Sequence, residues 1–300
     1  MTGRPLRIVL PGGSGHVGQM LARHFQLAGH HVTVLTRSPY SASWQTVHWD
    51  GANPGTWVET LEGADVCINL AGRSVNCRYN QKHRREIYDS RIGTTGLLSR
   101  VITSLPAPPR IWMNMSTATI YRHALDKPMD EVTGELGGRE LISQHRHAPE
   151  TWDFSVGVAK DWEALFFAIL LNLVRIGLGG TQGNGRQFVS WIHEADFTRA
   201  IDFLIEHDDI AGPVNLAAPN PLPNREFMQA LRDAWEMPNG IPAPWLLLQI
   251  ATFLMRTEPE LVLKSRRVVP GRLLQAGFDF DFRNWQEAAD DLVRQWKNRP

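Results

Sequence analysis

Apolar runs of strand length alternate with helical periodicities through the first half of the chain. LRIVL (6–10), HVTVLT (31–36), TVHW (46–49), ADVCINLA (64–71) and RIWMNMS (110–116) read as strands, and helical patterns lie near 16–28 and 83–104. This rhythm is that of βαβ units and predicts a parallel sheet. In the first helix Val17, Met20, Leu21 and Phe25 share a face, and Gly29 stands where a left-handed C-cap is wanted.

The pattern changes after residue 210. GPVNLAAP and the Pro/Asn-rich PNPLPN precede helical stretches at 224–236, 244–256 and 284–297. They predict a small, mostly helical C-terminal domain over 211–300 behind a larger α/β domain over 1–210, with 169–190 contributing to a cleft. LFFAILLNLV (165–174) and PWLLLQIATFLM (244–255) are shorter than the ~18 residues a membrane span needs and read as core helices.

Composition narrows the partners. Lys+Arg and Asp+Glu both number 31 and no long block of one sign stands out, which argues against nucleic acid and anionic membranes. Cys67 and Cys77 are the only cysteines, and the eleven histidines form no zinc-like spacing with them, so no metal is expected. With the first strand beginning near residue 6 and no room for a leader before it, the expected compartment is the cytoplasm.

The first strand runs into Pro11-Gly12-Gly13-Ser14-Gly15-His16-Val17-Gly18. In a Gly12-x-x-Gly15-x-x-Gly18 turn the first glycine permits a tight bend, the second lets backbone approach a pyrophosphate, and the third lets helix and strand pack closely. The helix start adds N–H groups and partial positive charge. No Gly-Lys-Ser/Thr follows, which excludes a triphosphate P-loop, and the final glycine of a nucleophile elbow is missing. The second strand ends Thr36-Arg37-Ser38, with no acid for a ribose 2′-hydroxyl; Arg37 suits a 2′-phosphate and favours NADP.

Together with Asn69-Leu70-Ala71-Gly72, Ser116-Thr117-Ala118-Thr119-Ile120-Tyr121 and Ser190-Trp191-Ile192-His193-Glu194-Ala195-Asp196, this turn makes the chain resemble an extended short-chain dehydrogenase/reductase of the NAD-dependent epimerase/dehydratase family. TVHWD, Ser90-Arg91, Lys160-Asp161-Trp162-Glu163, GLGGTQGNGRQFVSWIH and VVPGRLLQAGF resemble its sugar-nucleotide epimerase branch, which carries a C-terminal domain of unknown function. The resemblance implies a Rossmann-type doubly wound sheet, NADP across the carboxyl ends of its strands flanked by Leu70, Ala71 and Gly72, and a small domain closing over a substrate cleft.

The family places Tyr-x-x-x-Lys on the helix after the fifth strand, where the lysine binds ribose and lowers the tyrosine pKa. Lys160 matches the lysine, but position 156 is Val156, and members of the branch commonly lack the tyrosine. The remaining candidates are Ser116 and Thr117 to orient a substrate oxygen, with Tyr121 as the nearest phenol and His123 as a loop histidine. His193 and Asp196 read as structural, at a helix entry. LFFA runs directly into ILLNLVRIGLGG, so a strand with its connections, roughly 20–30 residues in the family pattern, is missing near 168/169.

Two functions follow from the resemblance. One is an NADP-dependent epimerase, reductase or dehydratase acting on a nucleotide-sugar or similar small molecule; the other is a non-catalytic NADP-binding regulatory module, for example in cell division, with a protein partner. The chain is expected to be a monomer or homodimer.

Overall fold

The structure, a computed structural model, describes residues 4–75, 77, 79–137, 184–240 and 263–298. Val156, Lys160, the 168/169 junction and the helix expected at 244–256 lie outside the described residues. The chain divides into two compact units: one formed by residues 1–75, 79–116 and 202–210, the other by 76–78, 117–201 and 211–300.

The first unit is built on five strands: β1 (Arg7–Pro11), β2 (His31–Thr36), β3 (Gln45–His48), β4 (Val66–Asn69) and β5 (Ile111–Asn114). All pair in parallel, in the order β3-β2-β1-β4-β5. All of β4 and four of the five residues of β1 are buried, as central parallel strands covered on both faces must be. Strand order reverses between β1 and β4, and in such sheets the crevice beyond the carboxyl ends at that reversal is where ligands bind. The expected α/β, Rossmann-type parallel sheet is therefore what the chain forms.

Helix α1 (His16–Leu27) follows β1 and buries Leu21 and Phe25, each worth about 1.5–3 kcal/mol of burial. Its end matches the sequence reading: Gly29 has φ +85°, the left-handed conformation glycine adopts without strain. Helix α2 (Val58–Leu61) is a single turn not foreseen in the sequence; it carries Leu61 into a cluster with Val9, Leu35, Trp49, Trp57 and Cys67. Trp49 and Trp57 meet edge to face with ring centres 5.9 Å apart. Helix α3 (Gln81–Ser104) begins two residues before the expected position because Asn80 caps it, its side chain accepting from His83 N at 2.9 Å.

The second unit contains a two-stranded antiparallel ribbon, β6 (Phe188–Val189) with β7 (Leu222–Pro223). Among the described residues it carries the helices α5 (Asn224–Ala234), the short α6 (Gly271–Gln275) and α7 (Trp285–Lys297). Helix α4 (Glu194–Glu206) starts in this unit, and its residues from Asp202 on group with the first. The unit's core is aromatic: Phe227 stacks on Trp285 at 4.0 Å, Trp191 meets Trp285 at 5.1 Å, and both indole N–H groups donate to carbonyls, of Phe227 and Asn220. Such tryptophans need a buried acceptor, and here backbone supplies it. The sequence reading overran α5 by two residues and did not anticipate α6.

Candidate functional site

The glycine turn links β1 to α1, and each glycine meets a different neighbourhood. A Cβ at Gly12, which has φ +75°, would lie 2.6 Å from Ala71 Cα; one at Gly13 would lie 2.9 Å from Leu10 O; one at Gly18 would lie 2.3 Å from Gly13 O. Real Cβ atoms do not approach this closely, so these three glycines are required by the fold itself. Gly15 differs, because a Cβ there would meet nothing within 4 Å.

Gly15 is also the N-cap of α1, in extended backbone, with no side-chain cap and no acid in the first turn. The first-turn N–H groups of a helix have no intrahelical acceptors, and here no carboxylate competes for their partial positive charge. Ser14, Gly15 and His16 are exposed and Val17 is half-buried. The turn thus presents donors and empty space at the same point, the combination an anionic phosphate group requires.

At the end of β2, Thr36 is buried and its Oγ1 accepts from Ser38 N at 3.4 Å, while its carbonyl accepts from Trp49 N at 2.9 Å. Arg37 and Ser38 beyond it are exposed, and among the described residues Arg37 takes no partner. A guanidinium left unpaired beside a Rossmann crevice is available for a phosphate.

Asn69 organises the ends of β4 and β5. Buried to 3% exposure, it donates from Nδ2 to Thr95 Oγ1 at 3.1 Å and Asn114 Oδ1 at 2.6 Å, and its Oδ1 accepts from Ala71 N at 3.1 Å. Leu70 N donates to Pro11 O and Met115 N to Asn69 O, so Leu70–Gly72 is tied to β1 on one side and to the segment reaching Ser116 on the other. Sequence reasoning placed Asn69 beside the site and missed Thr95 and Asn114, which lie 26 and 45 residues away.

Four predicted segments therefore share the carboxyl edge of one sheet: 12–18, 36–38, 70–72 and Ser116. Ser116 is exposed, with no hydroxyl partner among the described residues. Thr117 and Tyr121 group with the second unit and are engaged there. Thr117 Oγ1 caps the 3-10 turn Ala118–Ile120, accepting from Thr119 N at 3.2 Å and pairing with Thr119 Oγ1 at 2.9 Å. Tyr121 packs with Ala124, Met129, Ala217 and Val268, and its phenol donates to Asn215 Oδ1 at 3.1 Å. Burial raises its pKa, partly offset by Asn215, so the proton is held rather than offered. His123 accepts from Ser265 N at 3.0 Å.

The Trp-Ile-His-x-x-Asp segment is structural in its contacts. Asp196, fully buried, accepts from Asp281 N and Phe282 N at 2.9 Å each and from Arg199 Nη1 at 2.9 Å. His193 Nδ1 accepts from Ala195 N at 3.2 Å, which puts the ring proton on Nε2; that atom lies 3.1 Å from Asp291 Oδ2, outside hydrogen-bond angles, and the ring stacks on Phe282 at 3.7 Å.

Burial lowers the pKa of His193, with Asp291 opposing, and burial likewise lowers that of His30. Both imidazoles stay neutral in the folded chain at pH values where the unfolded chain already takes up protons. Their contribution to stability should therefore be flat above the ordinary histidine pKa of about 6.5 and be lost as pH drops below it. Melting curves at pH 7.5 and 5.5 should show the loss, and His193→Gln should reduce it; equal melting temperatures at the two pH values would contradict this assignment.

Burial pushes the Cys67 thiol up to about 12, which leaves it inert at neutral pH. Among the described residues no group of three His, Cys, Asp or Glu side chains is placed to hold a metal, and no helix is long and apolar enough to cross a membrane.

Residues 8–141 match the NAD dependent epimerase/dehydratase family, and residues 243–292 match a domain of unknown function, DUF1731. An epimerase family protein of Staphylococcus epidermidis is 30% identical over 299 residues, covering 96% of this chain and 99% of the relative. YfhF of Bacillus subtilis, also an epimerase family protein, is 28% identical and covers 97% and 99%. The crystal structure of human epimerase family protein SDR39U1 (isoform 2) with NADPH superposes with a TM-score of 0.77 at 25% identity, covering 96% of this chain and 99% of that one. UDP-N-acetylglucosamine 4-epimerase of Bacillus cereus shares the fold, with a TM-score of 0.66 at 15% identity.

Proposed function

The chain belongs to the NAD-dependent epimerase/dehydratase family, and on that premise we propose that it is an NADP-dependent redox enzyme of the epimerase, reductase or dehydratase kind, acting on a nucleotide-sugar or similar hydroxyl- or carbonyl-bearing small molecule. The observation that carries the reading is the contrast within the glycine turn: three glycines closed by contacts and one, Gly15, open at a helix start that holds no acid. The NADPH in the human relative's structure supports the same cofactor here.

A bound nicotinamide dinucleotide phosphate supplies a hydride donor and acceptor. The chain's own residues bind and orient. Backbone N–H groups of 14–18 hold the pyrophosphate, that of Gly13 being spent on Leu10 O, Arg37 and the flanking Thr36 and Ser38 hold the 2′-phosphate end, and Leu70–Gly72 flank the dinucleotide. Ser116, exposed and unengaged, orients the reacting substrate oxygen, a role to which Thr117 is less free to contribute because its hydroxyl caps the following turn. Lys160 binds the ribose by its family position. Residues 1–210 carry the cofactor and 211–300 the substrate side.

Arg37→Asp should separate the two nicotinamide dinucleotides. Exchanging a charge-assisted phosphate contact for repulsion should weaken NADPH by about 10–100-fold and leave NADH nearly unchanged. Equal losses for both would contradict the 2′-phosphate assignment. The enzymatic reading is tested by incubating the protein with NADPH deuterated at the nicotinamide C4 and a pool of nucleotide-sugars. Label should pass into a substrate, and the transfer should fall on Ser116→Ala and Lys160→Ala; tight NADPH binding with no transfer across the pool would overturn it.

A further inference from the structure

Ser90 and Arg91, adjacent on α3, do not belong to any of the strand ends that form the cradle, yet both engage the backbone of Arg73, the residue that follows its 70–72 segment. Arg73 N donates to Ser90 Oγ at 2.9 Å, and Arg91 Nη1 donates to Arg73 O at 3.1 Å. Each is braced on its own helix, Ser90 Oγ donating to Ile87 O at 3.0 Å and Arg91 Nη1 to Ile87 O at 3.2 Å. The Arg73 side chain pairs with Glu86, one turn earlier on α3.

Two close approaches carry this grip to the glycine turn. A Cβ at Gly72 would stand 3.0 Å from Arg91 Cζ and Nη2, so the guanidinium occupies the space a side chain would take. One residue earlier, Ala71 Cα fills the corresponding space of Gly12. Helix α3, Arg73, Gly72, Ala71 and Gly12 thus form one packed series, with Leu70 N on Pro11 O closing it from the other side.

We propose that Ser90 and Arg91 are positioning residues for the dinucleotide: a clamp on both backbone groups of Arg73 that holds Leu70–Arg73 against the glycine turn and so sets the width of the cofactor cradle. This rests on the NADP reading above. Neither residue needs to touch the cofactor. Removing the clamp should loosen a segment that must otherwise be ordered on binding, and the cost should appear in affinity rather than in folding.

The test uses the full chain with Ser90→Ala, Arg91→Ala, Arg91→Lys and Gly72→Ala, each measured for NADPH affinity, for apo melting temperature and for amide hydrogen exchange across 70–73 without cofactor. Arg91→Ala should weaken NADPH by about tenfold, in the range seen for residues that act through a packed network, and speed exchange at Ala71 and Arg73 with little change in melting temperature. Arg91→Lys, which keeps a donor for Arg73 O, should recover part of the loss. Gly72→Ala should weaken binding in the wild-type background and cost much less on top of Arg91→Ala, because the atoms it collides with are gone.

Unchanged affinity and exchange in Arg91→Ala, or a lowered melting temperature with unchanged affinity, would overturn the clamp while leaving the cofactor reading intact. Wild-type protein that ignores NADPH would overturn that reading and this role with it.

Discussion

Gly15→Val is expected to raise the dissociation constant for NADPH by at least about 100-fold while the apo protein stays folded. The valine would fill open space, and Gly15 has φ −73° and ψ 173°, which a β-branched residue adopts without strain. Losing two backbone contacts to a charged phosphate at about 1.5–3 kcal/mol each accounts for the affinity loss, since about 1.4 kcal/mol is tenfold. The poorer N-cap costs the helix about 1 kcal/mol, or a few degrees of melting temperature. Gly18→Ala makes the contrast, because its Cβ would sit 2.3 Å from Gly13 O and must push α1 off the turn. Titration and melting of both variants check the pair: Gly15→Val that binds like wild type would place the phosphates elsewhere.

Asp196→Ala should be the most destabilising single change in the second unit. The carboxylate, with no exposed surface, takes the backbone N–H groups of Asp281 and Phe282, and Arg199 bridges it to Asp279 O and the Asp281 carboxylate. Without it two amides lose their acceptor and a guanidinium loses a buried partner, at about 3–5 kcal/mol in total. Melting temperature should fall by roughly 10 °C. Asp196→Asn keeps one acceptor oxygen and should lose about half as much. A loss below about 1 kcal/mol for the alanine variant would contradict the bridging role.

What was legible in the sequence is what depends on neighbours along the chain. β1, β2 and β4 announce themselves because buried parallel strands need unbroken apolar runs, and α1 because its apolar face repeats at helical spacing. Single-turn helices such as α2 are too short to show a period. In the site, the glycine spacing and Arg37 could be read directly, whereas the crowding that sets Gly12 apart from Gly15 depends on Ala71, which only the sheet brings close.

Polar networks were less accessible for the same reason. Nothing local marks Thr95 or Asn114 as partners of Asn69, and Asp196, expected at a helix start, holds a segment 85 residues away. Ser90-Arg91 stood out as a motif in the sequence, but its contacts with Arg73 required the return of α3 across the end of β4.

Calorimetric titration of the purified full chain with NADPH and, separately, with NADH tests the central claim most directly. Saturable binding of one NADPH per chain is expected, at least about tenfold tighter than NADH because of the phosphate contact at Arg37. Absence of NADPH binding at millimolar concentration, or equal affinity for the two dinucleotides, would contradict it.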